Sequence, residues 1–170
     1  MNRSRYMNAL ANVSGDVFEL SREEIESGLE ASRSSPRLRM ILPIHRTGEA
    51  RVQRMLNFLQ PGTYVQPHLH PREFASETIF VMQGRLGFVI FDDRGDFTGV
   101  HDLKPGALID IEPGIWHGLV CLEEDTVILE IKRGPYDAET DKTFAGWAPA
   151  EGDAEAGAYL ESLERIYDPA

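Results

Sequence analysis

A run of short apolar segments between residues 37 and 132 most constrains the fold of this 170-residue chain. The segments are rich in Val, Ile, Leu, Phe and Thr, and turn-forming pairs such as Pro61-Gly62, Gln83-Gly84 and Pro105-Gly106 separate them. Many short strands at regular spacing are typical of an all-β sandwich or barrel. We therefore predict an all-β fold with strands at 38–44, 52–59, 63–70, 77–82, 85–91, 98–103, 107–111, 115–122 and 126–132.

Helical patterns flank the strand-rich region. Ser21 followed by Glu24 forms a capping-box pattern and predicts a short helix over 22–33. Near the other end, apolar residues recur at helical spacing and predict a helix near 154–166. The predicted organisation is an N-terminal segment with a short helix, a β-barrel, and a C-terminal loop and helix packing on the barrel, over 1–36, 37–132 and 133–170.

Composition and charge narrow the class of protein. Hydrophobic residues make up 42% of the chain, which is typical of a globular protein and not of a disordered one. The net charge of −11 disfavours binding to nucleic acids or anionic membranes, which requires clustered Lys and Arg. The single cysteine, Cys121, permits no intramolecular disulfide, and no stretch approaches the roughly 18 apolar residues of a membrane span. We predict a cytoplasmic protein with no nucleic-acid or membrane partner.

Two histidines lie two residues apart on a predicted strand. Because alternate side chains of a strand share a face, Tyr64, Gln66, His68 and His70 would point the same way if the strand continues through Pro67. Two imidazoles in this arrangement can chelate one metal ion. Tyr64 and Gln66 are candidates for binding a substrate, and the equally weighted alternative is a barrel-lining pair satisfied by neighbouring backbone.

A third histidine occurs on an apolar strand face. His117 shares its predicted face with Ile115, Leu119 and Cys121, so both of its ring nitrogens need partners in a dry environment. A carboxylate that starts the next strand after His70 can reach the same point, and Glu77 is preferred there over Glu73. Three imidazoles and one carboxylate suit Fe, Mn, Ni, Zn or Cu and not Ca²⁺ or Mg²⁺. We predict one divalent transition metal ion on His68, His70, Glu77 and His117.

The first histidine segment resembles the first motif of the cupin superfamily, G-x5-H-x-H-x3–4-E-x6-G. Gly62, His68, His70, Glu77 and Gly84 occupy its positions. The gap between His70 and Glu77 is two residues longer than in the motif, so the resemblance implies a bulged turn. The spacing from Glu77 to Gly84 matches the motif and favours Glu77 over Glu73.

The second segment resembles the second cupin motif, G-x5-P-x-G-x2-H-x3-N. Gly106, Gly114 and His117 match it, whereas Glu112 stands at the proline position and Cys121 at the asparagine position. Together the two motifs imply a cupin fold, a double-stranded β-helix or jelly-roll barrel, with a short N-terminal helix and a C-terminal helical tail.

A closer resemblance extends over about residues 35–165. It is to the WbuC-type cupin-fold metalloproteins and rests on 53–64, 91–93, 114–117, 130–137 and 141–152. That family is encoded in bacterial surface-polysaccharide (O-antigen) gene clusters, among other places. The resemblance implies the fold and the metal, and it favours a sugar-like small molecule and a role in lipopolysaccharide biosynthesis. Resemblance to cupins also implies a homodimer.

Two classes of function remain open at this point. One is an enzyme with an open metal position that acts on a small molecule, and the other is a non-catalytic metal- or sugar-binding or sensor module. A solvent-open metal with polar lining residues would favour the enzyme, and a closed site packed by Trp147 or Tyr136 would favour the binding role. We expect Arg54, Asn57, Glu130 and Lys132 to lie outside the barrel, although Glu130 and Lys132 must share one face.

Overall fold

The computed structural model describes residues 8–168 and contains two helices and ten strands in that range. The helices are α1 (Arg22–Ser34) and α2 (Ala156–Glu164). The strands are β1 (Arg39–Pro43), β2 (Val52–Leu59), β3 (His68–Leu69), β4 (Glu77–Gln83), β5 (Leu86–Phe91), β6 (Phe97–Leu103), β7 (Leu108–Ile111), β8 (Trp116–Cys121), β9 (Thr126–Arg133) and β10 (Thr143–Phe144). The ends of the predicted terminal segments, residues 1–7 and 169–170, lie outside the described residues.

The strands form two five-stranded antiparallel sheets. The strand order is β1-β2-β9-β4-β7 in the first sheet and β10-β3-β8-β5-β6 in the second. From β3 to β5 and from β7 to β9 the chain alternates between the sheets, as in a jelly roll. The predicted all-β jelly-roll fold is confirmed, although within residues 8–168 no strand ladder joins the two sheets into a continuous barrel.

The main core lies between the sheets. The first sheet contributes Leu59, Ile79, Val81, Ile111 and Ile128, and the second contributes Leu86, Phe88, Leu103 and Cys121. These side chains come from alternate positions of their strands, as expected for faces turned towards each other. The interior between the sheets is therefore apolar along this part of its length.

Each sheet also carries a helix on its outer face. Helix α1 begins with the predicted capping box, in which Ser21 and Glu24 accept each other's backbone N–H groups, and it packs Leu29 against Phe58 and Val127 of the first sheet. Helix α2 packs against the second sheet in a cluster that contains Leu160, Leu163, Val89 and Val120. Neither helix is long and apolar enough to cross a membrane, in the part of the chain that the structure describes.

Two predicted boundaries differ from the structure around the first histidine pair. The strand expected over 63–70 is reduced to β3 (His68–Leu69), which pairs with β8 on one side and β10 on the other. Pro67 has no N–H group to donate to a ladder, which limits the strand on its N-terminal side. Strand β10 lies in a segment expected to be loop, and its partner is this shortened strand.

Two motif glycines have backbone conformations that other residues rarely adopt. Gly84 directly follows β4 with φ +76°, and a Cβ there would lie 2.3 Å from Oγ1 of Thr126. Gly114 precedes β8 with φ +80°. Glycine is the residue that adopts positive φ without steric cost, so these turns explain why the motif spacing contains glycine at both positions.

Gly28 in helix α1 lies against the ring of Phe58, so a substitution of Gly28 tests how the helix packs on the first sheet. A Cβ at Gly28 would lie 2.3 Å from the Cε2 and Cζ atoms of that fully buried ring. We expect Gly28→Ala to lower the free energy of unfolding by about 1–3 kcal/mol, because the added methyl group overpacks the core. Within a helix the same change usually raises the free energy of unfolding by about 0.5–1 kcal/mol. Urea denaturation measures the difference between the two proteins.

The matched control is Gly157→Ala in α2, where no heavy atom lies within 4 Å of the added Cβ. It should leave stability unchanged or slightly raised. Equal stability of the Gly28→Ala protein and the parent protein would contradict the described packing of α1.

Candidate metal centre

The four predicted donor residues come together between the two sheets. His68 in β3 and His117 in β8 are directly opposite each other in the ladder, His70 follows β3, and Glu77 begins β4 in the first sheet. The residues are 2%, 1%, 4% and 3% exposed in that order. The structure thus brings donors from both motifs into one buried cluster.

The three imidazoles are close enough to share one ion. The ring centroids of His68 and His117 are 4.5 Å apart. The ring centroid of His70 lies 5.4 Å from that of His68 and 5.7 Å from that of His117. One donor atom from each ring lies within 4.8 Å of the others. Phe88 stacks on His117 from the apolar side of the interior, with centroids 5.4 Å apart.

Backbone carbonyls fix the orientation of all three rings. Nδ1 of His68 lies 2.9 Å from the Gln66 oxygen, Nδ1 of His117 lies 2.8 Å from the Ile115 oxygen, and Nδ1 of His70 lies 2.6 Å from the Asp141 oxygen. A carbonyl oxygen can only accept, so each Nδ1 carries a proton and each neutral ring keeps its lone pair on Nε2. All three Nε2 atoms are thereby available as metal donors.

The Nε2 atoms of His70 and His117 are buried and have no hydrogen-bond partner. Oε2 of Glu77 lies 3.2 Å from Nε2 of His117 and 3.6 Å from Nε2 of His70. A carboxylate facing two lone pairs at these distances is stable only with a positive charge between them. A divalent cation would satisfy all three atoms, so the residues present fit a metal ion.

Electrostatics favour the donor forms of these groups. Burial holds the pKa of His68 well below its usual range, and the positive charge of Lys142 acts in the same direction. Burial alone would raise the pKa of Glu77, but positive charge at the facing nitrogens of His117 and His70, from a proton or a bound cation, brings that pKa well below its usual range. Neutral imidazole and ionised carboxylate are the forms that bind metals. The set suits a divalent transition metal, as predicted, and leaves its identity open.

Further polar side chains lie between the sheets, where sequence reasoning expected them outside. Asn57, Glu130 and Lys132 are buried, whereas Arg54 is exposed as expected. Nδ2 of Asn57 donates to Oε2 of Glu130 at 2.9 Å, and Lys132 is the register partner of Glu77. The expectation for these three was wrong because β2 and β9 are covered on both faces, so their polar positions could not be assigned to solvent.

Burial also changes the charges of this inner group. Burial, and then the neighbouring charge of Glu77, raises the pKa of Glu130 to about 7. Burial alone would lower the pKa of Lys132, but the carboxylates of Glu130 and Asp141 raise it above its usual value. Asp141 was not predicted, because it lies in a loop where no periodicity marks an inward side chain.

A segment that we call the strap, residues 137–145, closes the cluster. Its Asp141 carbonyl accepts from His70, and the Asp141 carboxylate lies 2.6 Å from Nζ of Lys132. Strand β10 within the strap pairs with β3 and brings the Phe144 ring to 6.1 Å from that of His68. The donors are therefore enclosed by the strap. Trp147 packs instead against Phe91 on the outer face of the second sheet.

Gln66 holds the end of the strap, and Tyr64 holds the segment that follows it. The Tyr64 hydroxyl donates to the Pro149 oxygen at 2.7 Å, and its ring packs among the residues that contact α2. Nε2 of Gln66 donates to the oxygen of Ala145 at 3.0 Å. These contacts agree with the alternative interpretation, in which neighbouring backbone groups satisfy the hydrogen bonds of both side chains. A role of Tyr64 and Gln66 in binding a substrate stays a prediction.

The other candidates lie away from the centre. Glu73 is exposed beside a surface cleft of about 370 Å³, in the longer turn between His70 and Glu77, where Phe74 has φ +62°. His101 is exposed. Burial raises the pKa of the Cys121 thiol to about 11, as expected for an inert core residue.

Comparison with known proteins supports the fold. A family described as a domain of unknown function (DUF6016) matches residues 20–103, and no curated protein matches the chain. An uncharacterized conserved protein with a double-stranded β-helix domain from Klebsiella pneumoniae has a similar structure, with a TM-score of 0.55 and 16% identity over 78% of this chain and 98% of that one.

Oxalate decarboxylase from Bacillus subtilis is also similar, with a TM-score of 0.50 and 19% identity over 62% of this chain. The matched region spans 27% of the length of the decarboxylase chain. At these identities the likeness shows the cupin fold alone. The chain thus has the architecture of a cupin with a buried histidine cluster that fits a divalent metal site.

Glu77 and Glu73 form a matched pair for testing the fourth donor. Because Glu77 lies at the imidazole nitrogens and Glu73 is exposed, we expect Glu77→Gln to weaken metal binding at least about tenfold and Glu73→Gln to leave it unchanged. Competition with a chromophoric chelator measures the affinity. A larger loss in Glu73→Gln than in Glu77→Gln would reverse the assignment.

Proposed function

We propose that the protein is a metal-binding cupin that holds one divalent transition metal ion on His68, His70, Glu77 and His117. The observation that supports this most directly is the common orientation of the three rings, whose Nδ1 atoms are all held by backbone carbonyls. Without an ion, two Nε2 atoms stay buried and unpaired, at a cost of about 1–3 kcal/mol each. Such an arrangement is costly unless a ligand completes it.

The proposal includes a small-molecule ligand. A bound ion supplies Lewis-acid chemistry towards an oxygen atom of such a molecule. The chain's own contribution is to hold the donors rigidly and to surround them with buried polar groups, Asn57, Glu130 and Lys132. The resemblance to WbuC-type proteins supports a sugar-like molecule from bacterial surface-polysaccharide metabolism. The resemblance to cupins supports a homodimer, and the composition supports a cytoplasmic location.

Burial of the donors supports a second candidate, a non-catalytic binding or sensor module. All four donor residues are at most 4% exposed, and the strap contacts both His70 and His68. In this state solvent has little access to the centre. The two candidates therefore differ in whether the ion keeps a position open to solvent.

Removal of two donors tests metal binding itself. We expect the His68→Ala/His117→Ala double variant to contain no stoichiometric metal after purification, because it keeps one of the three imidazoles. Elemental analysis measures metal per chain, with circular dichroism as a check on folding. The control is His101→Ala, whose ring is exposed. Metal near one per chain in the double variant would refute the site.

Relaxation of solvent water distinguishes the two candidate functions. With Mn²⁺ as the probe ion, we expect only weak enhancement of water-proton relaxation, because the strap and the burial of the donors keep bulk water away. Aqueous Mn²⁺ at the same concentration is the reference. Strong enhancement by the protein-bound ion would indicate a rapidly exchanging water and favour the enzyme.

A further inference from the structure

The interior between the sheets contains more buried charge than a metal centre requires. Beyond the four donors, Asn57, Glu130, Lys132 and Asp141 are each at most 8% exposed. Burying an ammonium group costs several kcal/mol unless it is well paired, and apolar residues fill the rest of this interior. The inference below rests on the proposed metal-binding function and concerns the ligand of the same site.

Lys132 is the unusual member of this group. Of the three lysines in the chain, all within the described residues, Lys104 is exposed and Lys142 is half-buried, whereas Lys132 is 7% exposed. As the register partner of Glu77, it lies on the strand next to a metal donor. A fixed cation is thus built into the wall of the interior beside the centre.

The counter-ion of Lys132 comes from a segment with few attachments. Oδ2 of Asp141 lies 2.6 Å from Nζ, whereas Oε1 of Glu130, which belongs to the wall itself, lies 3.9 Å away. Residues 137–140 of the strap are exposed, and β10 joins the second sheet through only two residue pairs. The closest partner of the Lys132 ammonium therefore comes from a loop that only a short two-residue strand joins to the sheets.

Displacement of the Asp141 carboxylate would make the interior between the sheets more positive. It would remove one negative charge from a space that also holds the proposed divalent cation, the Lys132 ammonium and the carboxylates of Glu77 and Glu130, so positive charge would be left in excess. The vacated position would then attract an anion of similar size. A carboxylate matches the group that leaves, whereas a dianionic phosphate would bring a second negative charge towards Glu130.

We propose that Lys132 recognises the carboxylate of a small-molecule ligand beside the metal centre, and that the Asp141 carboxylate occupies this position in the closed structure. The ligand class is therefore a small carboxylic acid, such as an acidic sugar, that also presents an oxygen to the metal. Asp141 competes with this ligand from within the chain.

A purely structural ion pair makes a different prediction. If Asp141 served only to pin the strap, removing either charge would loosen the strap in the same way. Under the proposal, the two partners have opposite effects on carboxylate binding, because one is the receptor and the other is the competitor. Asp141→Asn keeps the shape of the side chain and the backbone carbonyl that orients His70.

The experiment uses full-length protein loaded with Zn²⁺, with binding followed by nuclear magnetic resonance titration. The probes are acetate against acetamide and D-glucuronate against D-glucose, each pair differing in the carboxylate. We expect Asp141→Asn to bind both carboxylates about tenfold more tightly than the parent protein, since the competitor no longer reduces the open fraction. Lys132→Met should bind them at least about tenfold more weakly, and Lys132→Arg should restore binding.

Lys104→Met is the matched surface control and should bind like the parent protein. If the parent, Asp141→Asn and Lys132→Met proteins all bind acetate with equal affinity, acetate binds to the metal ion alone. That result would overturn the inference. Tighter binding of inorganic phosphate than of acetate would overturn the carboxylate class. If Lys132→Met does not fold, unchanged affinity in Asp141→Asn is by itself sufficient to reject the proposal.

The same samples separate this inference from the proposed function. Metal content is measured first, and a parent protein that retains no Zn²⁺ contradicts the metal centre itself. A protein that retains Zn²⁺ but binds carboxylates independently of Lys132 and Asp141 contradicts only the inference about the ligand.

Discussion

His68 and His117 are opposite each other in the β3–β8 ladder, and the rest of the centre is arranged around this pair. Backbone pairing sets the separation of the two rings, and carbonyl oxygens set their rotation. The His70 carbonyl accepts from the Gly114 N–H at 3.0 Å, which ties the two motif segments together. The donors thus depend on main-chain geometry, which resists displacement better than contacts between long side chains do.

The interior is divided along its length into an apolar part and a polar part. Phe88 marks the boundary, since its ring belongs to the apolar core and stacks on His117. Apolar packing on one side of the imidazoles keeps them dry, which strengthens every electrostatic contact on the other side. The apolar part therefore packs the two sheets together, and the candidate metal centre lies in the polar part.

Much of the centre could be predicted because its residues follow local rules. Turn glycines such as Gly84 and Gly114 mark the strand ends, and the motif spacing predicts the histidine cluster with Glu77 beside it. The strap could not be predicted, because its contacts depend on residues far apart in the sequence. Asp141, for example, meets His70 across 71 positions of the chain.

The orientation of Lys132 and Glu130 shows a second limit of sequence reasoning. Alternation along β9 correctly indicates that they share a face, but it cannot say which face is turned inward when helix α1 covers the other one. Only the tertiary packing determines which face of β9 is turned inward.

Asp141 connects the two parts of the candidate site through different atoms. Its backbone oxygen holds the proton-bearing nitrogen of His70, and its side chain holds Lys132. Any movement that separates the carboxylate from Lys132 therefore also affects the hydrogen bond that orients a metal donor. Under the proposed function, occupancy of the metal centre and the position of the strap would influence each other equally by thermodynamic linkage. Because a single residue makes both contacts, we expect the metal centre and the Lys132 position to behave as one coupled site.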